Sequence, residues 1–220
     1  MRTLITTSLV VLATTSSWAQ DGRWQLGVQA GPGLSWLRGN RLINSSDALL
    51  GPAAGLTVQY DLSERFGVRL GAGYQRKGSQ VNATFTDVNG NPIATVKLRT
   101  ALDQVTFPLM ATAGFGTTVR LEVGAGGFVG VLLRGRTVPA GGSEFAEQDI
   151  TDTMERLDAG VSASVGGAFD VGDNLVLRTE VRYDKGLMNI SAVPVIDDGS
   201  IRTNAVSLLV GCSYRFGKTL

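Results

Sequence analysis

The chain has no histidine and a single cysteine, Cys212, among its 220 residues. Without histidine it lacks the one side chain whose ordinary pKa lies near neutrality. A Ser-His-Asp or Cys-His nucleophile is therefore excluded, as is a histidine-held metal. One cysteine can form neither an internal disulfide nor a thiolate metal site. Long apolar runs are missing too. The run Leu4 to Ala13 is too short to cross a bilayer as a helix, which takes about 20 apolar residues. Neither sign of charge dominates, with 20 basic against 19 acidic residues. That balance leaves no electrostatic footprint for nucleic acid.

What is present begins with an export signal. Met1-Arg2 gives a basic start, the short apolar run follows, and Ser17-Trp18-Ala19 puts small residues where a signal peptidase reads. These parts, in this order, predict a signal peptide over 1–19 with cleavage after Ala19, leaving 20–220 as one domain.

The rest is dominated by alternation with period two, the mark of strands whose faces meet different surroundings. Near the C-terminus Val206, Leu208, Val210, Cys212, Tyr214 and Phe216 oppose Ser207, Gly211, Ser213 and Arg215, with Leu209 the exception. The segments 157–171, 174–184 and 119–133 repeat the pattern. So do three earlier ones, around Trp24–Gly31, Ala54–Tyr60 and Phe66–Gln75. A fourth strand, about 98–114, carries Val105, Phe107, Leu109 and Ala111 on its apolar face. Pro108 within it predicts a bulge or local irregularity. The 29 glycines are spread through these segments and are not gathered into linkers.

Eight strands follow, joined by connections that alternate long and short. The long loops are expected at about 37–49, 78–97, 135–156 and 189–202, and at the tip of the second Asn89-Gly90 suits a two-residue hairpin turn. Tight turns are expected at 61–65, 114–117 and 172–173. Outer-membrane barrels show this asymmetry, with short periplasmic turns and long extracellular loops. Aromatic residues collect at strand ends: Trp24, Tyr60, Phe66, Tyr214 and Phe216 near short turns, Tyr74 and Tyr183 near long loops. Amphipathic rings favour the two lipid–water interfaces, so these seven are read as an aromatic girdle.

The polar face carries Arg69, Arg120, Glu122, Arg178, Glu180 and Arg182 beside glycines. These six are expected to form a charge network inside a narrow lumen. A strand in hydrocarbon is viable only in a closed barrel with an apolar outer wall. A soluble carrier of the lipocalin type needs the reverse, an apolar lumen and a wet exterior. Strands long enough to cross, an apolar face free of charge, and opposite charges together on the other face favour the membrane. The fold expected is all-β: an eight-stranded antiparallel up-and-down transmembrane β-barrel in the bacterial outer membrane. The lipocalin-like binding barrel is the alternative.

No catalytic, cofactor-binding or metal residue is identified. Glu122 and Glu180 sit among arginines, which suits structural ion pairs better than a general acid. Asp87, Asn89 and Asn91 alternate like the start of a calcium loop, but Leu98 stands where the closing Glu belongs. Glu144, Glu147, Asp149, Asp152 and Glu155 give an acidic loop, read as a solvated one. The expected partners are the lipid bilayer and proteins that meet the extracellular loops, with no nucleic acid and no cofactor.

Several segments resemble the PorT-type outer-membrane β-barrel family. They are Tyr74-Gln75-Arg76-Lys77-Gly78, Phe107-Pro108-Leu109, Arg182-Tyr183-Asp184-Lys185-Gly186-Leu187-Met188-Asn189-Ile190, and Gly211-Cys212-Ser213-Tyr214-Arg215-Phe216. The resemblance implies an integral outer-membrane barrel and carries over no catalytic residue; with histidine missing and Glu122 and Glu180 among arginines, no enzymatic activity is expected. Because the family's namesake is linked to protein secretion, it also implies an accessory role in secretion or envelope assembly. A structural or interaction role through the loops is the leading expectation.

Overall fold

The computed structural model describes residues 24–39, 46–87, 89, 91–117, 119–140, 147–195 and 199–216. The expected signal peptide, Gly90 and Glu144 lie outside them.

Eight long strands form one antiparallel ring. They are β1 (Trp24–Arg38), β2 (Asp47–Asp61), β3 (Phe66–Thr86), β4 (Pro92–Phe115), β5 (Val119–Ala140), β7 (Leu157–Val171), β8 (Leu175–Gly186) and β9 (Arg202–Phe216). A two-residue β6 (Gln148–Asp149) lies against β5 in the loop between β5 and β7. Each long strand pairs with its sequence neighbour, and β1 pairs with β9 to close the ring. Closure pairs every long strand on both sides within the ring, so the backbone there can enter hydrocarbon.

The pleat sorts the side chains as the alternation predicts. Leu175, Leu177 and Val181 are exposed on the outer wall, while Glu180 and Arg182 are each only 6% exposed within. That arrangement rules out the lipocalin-like alternative, whose lumen would be the apolar side. Cys212 also lies on the outer wall, as an exposed free thiol. Leu209, the exception in β9, points inward and is buried.

Two expectations need correction. The segment 78–97 is not a loop: β3 and β4 stay paired from Gly78↔Ala101 up to Thr86↔Pro92 and form a ribbon. At its tip the Asp87 carboxylate accepts the backbone N–H groups of Asn89 and Asn91, at 2.8 and 2.9 Å. The segment 135–156 is likewise partly strand, since β5 stays paired with β4 as far as Ala140. These extensions were missed because both of their faces meet water, and no apolar face marks the period.

At Pro108 the expected irregularity is present but is not a bulge. The β3–β4 register is the same on both sides, with Leu70↔Leu109 below and Gly73↔Thr106 above, while the pairs opposite Pro108 and Phe107 are missing from the ladder. The Pro108 ring packs into the space over Gly71, where a Cβ would lie 2.9 Å from Pro108 Cγ. A second irregularity, a bulge between β4 and β5, lies higher. Asp103 pairs with Arg134 but Gln104 with Leu132, so Leu133 is an extra residue on β5.

Small residues let the wall close tightly around its contents. Gly166 lies in one inward row with Glu122 and Glu180. A Cβ there would come within 2.0 Å of the Thr179 carbonyl oxygen. Gly166→Val is expected to cost about 1–3 kcal/mol by overpacking. Urea titration of the refolded barrel checks it, and a variant as stable as the parent would show the wall can yield there.

Candidate functional site

The inward side chains build the lumen in layers, beginning at the short-turn end. Arg120 and Arg215 both reach the Asp170 carboxylate, at 3.4 and 2.9 Å. Gln25 and Gln59 donate to the two Asp61 oxygens at 2.6 and 2.7 Å.

The next layer is the centre of the charge system. Arg69 spans two carboxylates, Glu122 at 2.6 Å and Glu180 at 2.6 Å. Arg178 holds Glu122 from the other side at 3.0 Å and also donates to Ser213 Oγ and Gln25 Oε1. Two arginines thus balance two glutamates, which offsets the cost of taking charge from water. The cavity beside Arg69, Glu122, Arg178 and Glu180 is about 10 Å³, roughly what one water needs and no more.

Above it, Ser162 donates to Asp184 at 2.6 Å and Gln75 donates to Ser207 at 3.1 Å. Lys77 follows, fully buried, 3.1 Å from Asp158 and with its ammonium 4.1 Å from the centre of the Phe128 ring. Thr203 donates to the same Asp158 oxygen at 2.7 Å.

The long-loop end is closed by apolar side chains. Leu37, Leu102, Leu132 and Ile190 form a buried cluster, with Ile150, Met154 and Ile201 packed on it. The connecting segments fold inward to deliver them. Glu155 N–H donates to Ile190 O at 2.8 Å, and Ala192 N–H to Thr153 O at 3.0 Å. In the same region Thr151 donates to Asp149 from its hydroxyl at 2.6 Å and its backbone N–H at 2.9 Å. These bonds, the hydroxyl's first, hold the Asp149 carboxyl below the ordinary range.

Of the six charged residues singled out from the sequence, four meet: Arg69, Glu122, Arg178 and Glu180. Arg120 stands apart with Asp170, and Arg182 lies 3.5 Å from Asp184 in the layer above. The six expected members are therefore split among three groups of ion pairs. Lys77, Asp158, Asp184 and Arg215 were not singled out as members. Strand parity places all four inward, and that signal could have found them.

The seven aromatics expected to form the girdle lie on the outward positions of their strands. At the short-turn end Trp24 and Tyr60 are 4.8 Å apart by ring centres, and Tyr214 and Phe216 5.1 Å apart. Phe66 is exposed on the same rim. At the other end Tyr183 stacks on Trp36 at 6.4 Å, and the Tyr74 hydroxyl bonds to Asp103.

A family model described as an outer membrane protein beta-barrel domain matches residues 18–192. The chain belongs to that family. As an outer membrane β-barrel protein, its place is the bacterial outer membrane and its wall meets the lipid bilayer. No curated protein matches it. Among solved structures it is similar to Ail, the attachment invasion locus protein of Yersinia pestis, at 13% identity over 88% of this chain and 99% of that one, with a TM-score of 0.45. It is similar to Neisserial surface protein A at 13% identity over 87% and 97%, with a TM-score of 0.49. It is also similar to the outer membrane protease OmpT of Escherichia coli, at 10% identity over 88% and 97%, with a TM-score of 0.47.

Proposed function

We propose that this outer membrane β-barrel protein is a closed, non-catalytic scaffold that acts through its extracellular end. One observation carries the reading. The lumen is filled by its own ion pairs and hydrogen bonds and capped by the Leu37, Leu102, Leu132 and Ile190 cluster. A barrel of eight strands has little more room than its own side chains occupy. Both central carboxylates, Glu122 and Glu180, are held by guanidinium groups. Among the described residues, the surfaces left for a partner are the β3–β4 ribbon and the segments 147–156, 187–195 and 199–201.

A photo-crosslinking residue placed at Asn89 or Asp152 in living cells tests this. Both are exposed at the long-loop end. Discrete protein adducts are expected there and none at Leu121, which faces lipid. Equal labelling at all three sites, or none anywhere, would remove the reading.

A second reading is supported by the PorT-type resemblance of Tyr74–Gly78 and Arg182–Ile190. In it the barrel serves protein secretion or envelope assembly. Loss of exported cargo on gene deletion is its expected sign, and unchanged secretion would eliminate it.

A further inference from the structure

The outer wall of β3, β4 and β5 changes character in one step. The outward row Tyr74–Val105–Val131 holds no charge, and neither do the outward rows beneath it. The next row up is Arg76–Asp103–Arg134. Arg136 stands in the row above that, opposite Ala101, followed by Arg99 and then Lys97. Five cations thus occupy successive rows of one outward face. Among the described residues, the acids paired with them are Asp103, Glu147 and Asp149.

The bulge at Leu133 creates this face. Plain alternation from Leu132, which points into the lumen, would send Arg134 and Arg136 inward as well. The extra residue reverses the parity, so Gly135 takes the buried place and both arginines reach the outer wall. Bulges that re-aim side chains in this way are recurrent devices. Asp103 then gathers two of the cations, with Arg76 Nε at 2.7 Å and Arg136 Nη2 at 3.5 Å from its carboxylate. Arg134, half exposed, lies beside them at 3.0 Å from Glu147.

Among the described residues, the short-turn end has no such collar. Its strand charges, Asp61, Arg120, Asp170 and Arg215, occupy inward positions, and aromatic rings occupy the outward ones. The asymmetry fits the membrane. The collar lies directly above the charge-free belt, at the height of the outer leaflet's head groups. Clustered cations at that depth bind anionic head groups, and guanidinium groups match phosphate by paired hydrogen bonds.

We propose that the outward face of β3–β5 above Tyr74 binds the phosphate groups of an anionic lipid of the outer leaflet. Arg76, Arg134 and Arg136 are its main ligands, and Asp103 is the positioning group that holds two of them side by side.

The full-length barrel, refolded into phosphatidylcholine nanodiscs, is the material for the test. Diphosphoryl lipid A and its enzymatically dephosphorylated form are titrated in, and bound lipid is counted by native mass spectrometry. The phosphorylated lipid is expected to bind at least tenfold more tightly, and more weakly as salt rises. R76Q/R136Q is expected to abolish the preference, and R76K/R136K to keep part of it. Should the double Gln variant fail to fold on a heat-modifiability gel, R134Q/R99Q alters exposed side chains and is expected to reduce the preference severalfold. Equal affinity for the two lipids overturns the proposal. So does displacement of the lipid by millimolar inorganic phosphate, which would mark a free-anion site. Arginine-dependent binding of a sulfated polysaccharide with no lipid preference overturns it too.

Discussion

Replacing Arg69 by Met is expected to lower folding stability by about 3–5 kcal/mol, the largest single effect in the barrel. Arg69 is 8% exposed and is the ion-pair partner of Glu180. It also donates to Glu122 at 2.6 Å and to Gln59 at 2.9 Å. Removing it leaves Glu180 as a buried charge without its cation, while Glu122 keeps Arg178. The loss comes from that stranded carboxylate more than from the missing contact, so the damage should be curable. R69M/E180Q removes both charges and is expected to recover at least about 1 kcal/mol of the loss, within the usual coupling for residues in contact. Urea titration of refolding into detergent, read by heat-modifiability, gives all three values. An R69M barrel within about 1 kcal/mol of the parent would mean that the lumen is wet enough to solvate the acids, and the closed-scaffold reading would fall with it.

Leu109→Arg is the second large effect. Leu109 sits in the outward row Leu70–Leu109–Gly127, midway between the aromatic rims, and is exposed on the wall. Arginine at the middle of a lipid-facing wall costs about 2–4 kcal/mol, falling to about 0–1 near the interface. Val131→Arg, one row beneath Arg134 on the same wall, is expected to fall in the lower range. The comparison matters more than either value, because both substitutions add the same side chain to an exposed position. In water the two would cost alike. Equal costs measured by refolding into lipid vesicles would contradict burial of this wall in hydrocarbon.

Much of the architecture could be read from the residues, for a local reason. Alternation such as Leu175, Leu177 and Val181 against Arg178, Glu180 and Arg182 follows from the pleat of a single strand and needs no partner to appear. It identified the two faces, the eight strands and the solvent each face meets. It failed where both faces meet water, as in the ribbon of β3 and β4, and where one residue breaks the period, as at Leu133. From parity alone Arg134 and Arg136 would be lumen residues. Only the pairing of Asp103 with Arg134 and of Gln104 with Leu132 shows otherwise.

The contents of the lumen were less legible. Arg120 stands two residues from Glu122 on the same face, yet it binds Asp170, fifty positions along the chain. Lys77 meets Asp158 from eighty-one positions away. Leu37, Leu102, Leu132 and Ile190, from four separate segments, converge on one cap.

The sequence by itself determined that the chain makes a barrel with an apolar wall and a polar interior, because side-chain direction along a strand is set residue by residue. Tertiary structure alone decided which charges meet, which arginines reach the outer wall and what seals the outer mouth. Those depend on how far each strand is shifted against the next around the closed ring, a quantity that no single strand carries.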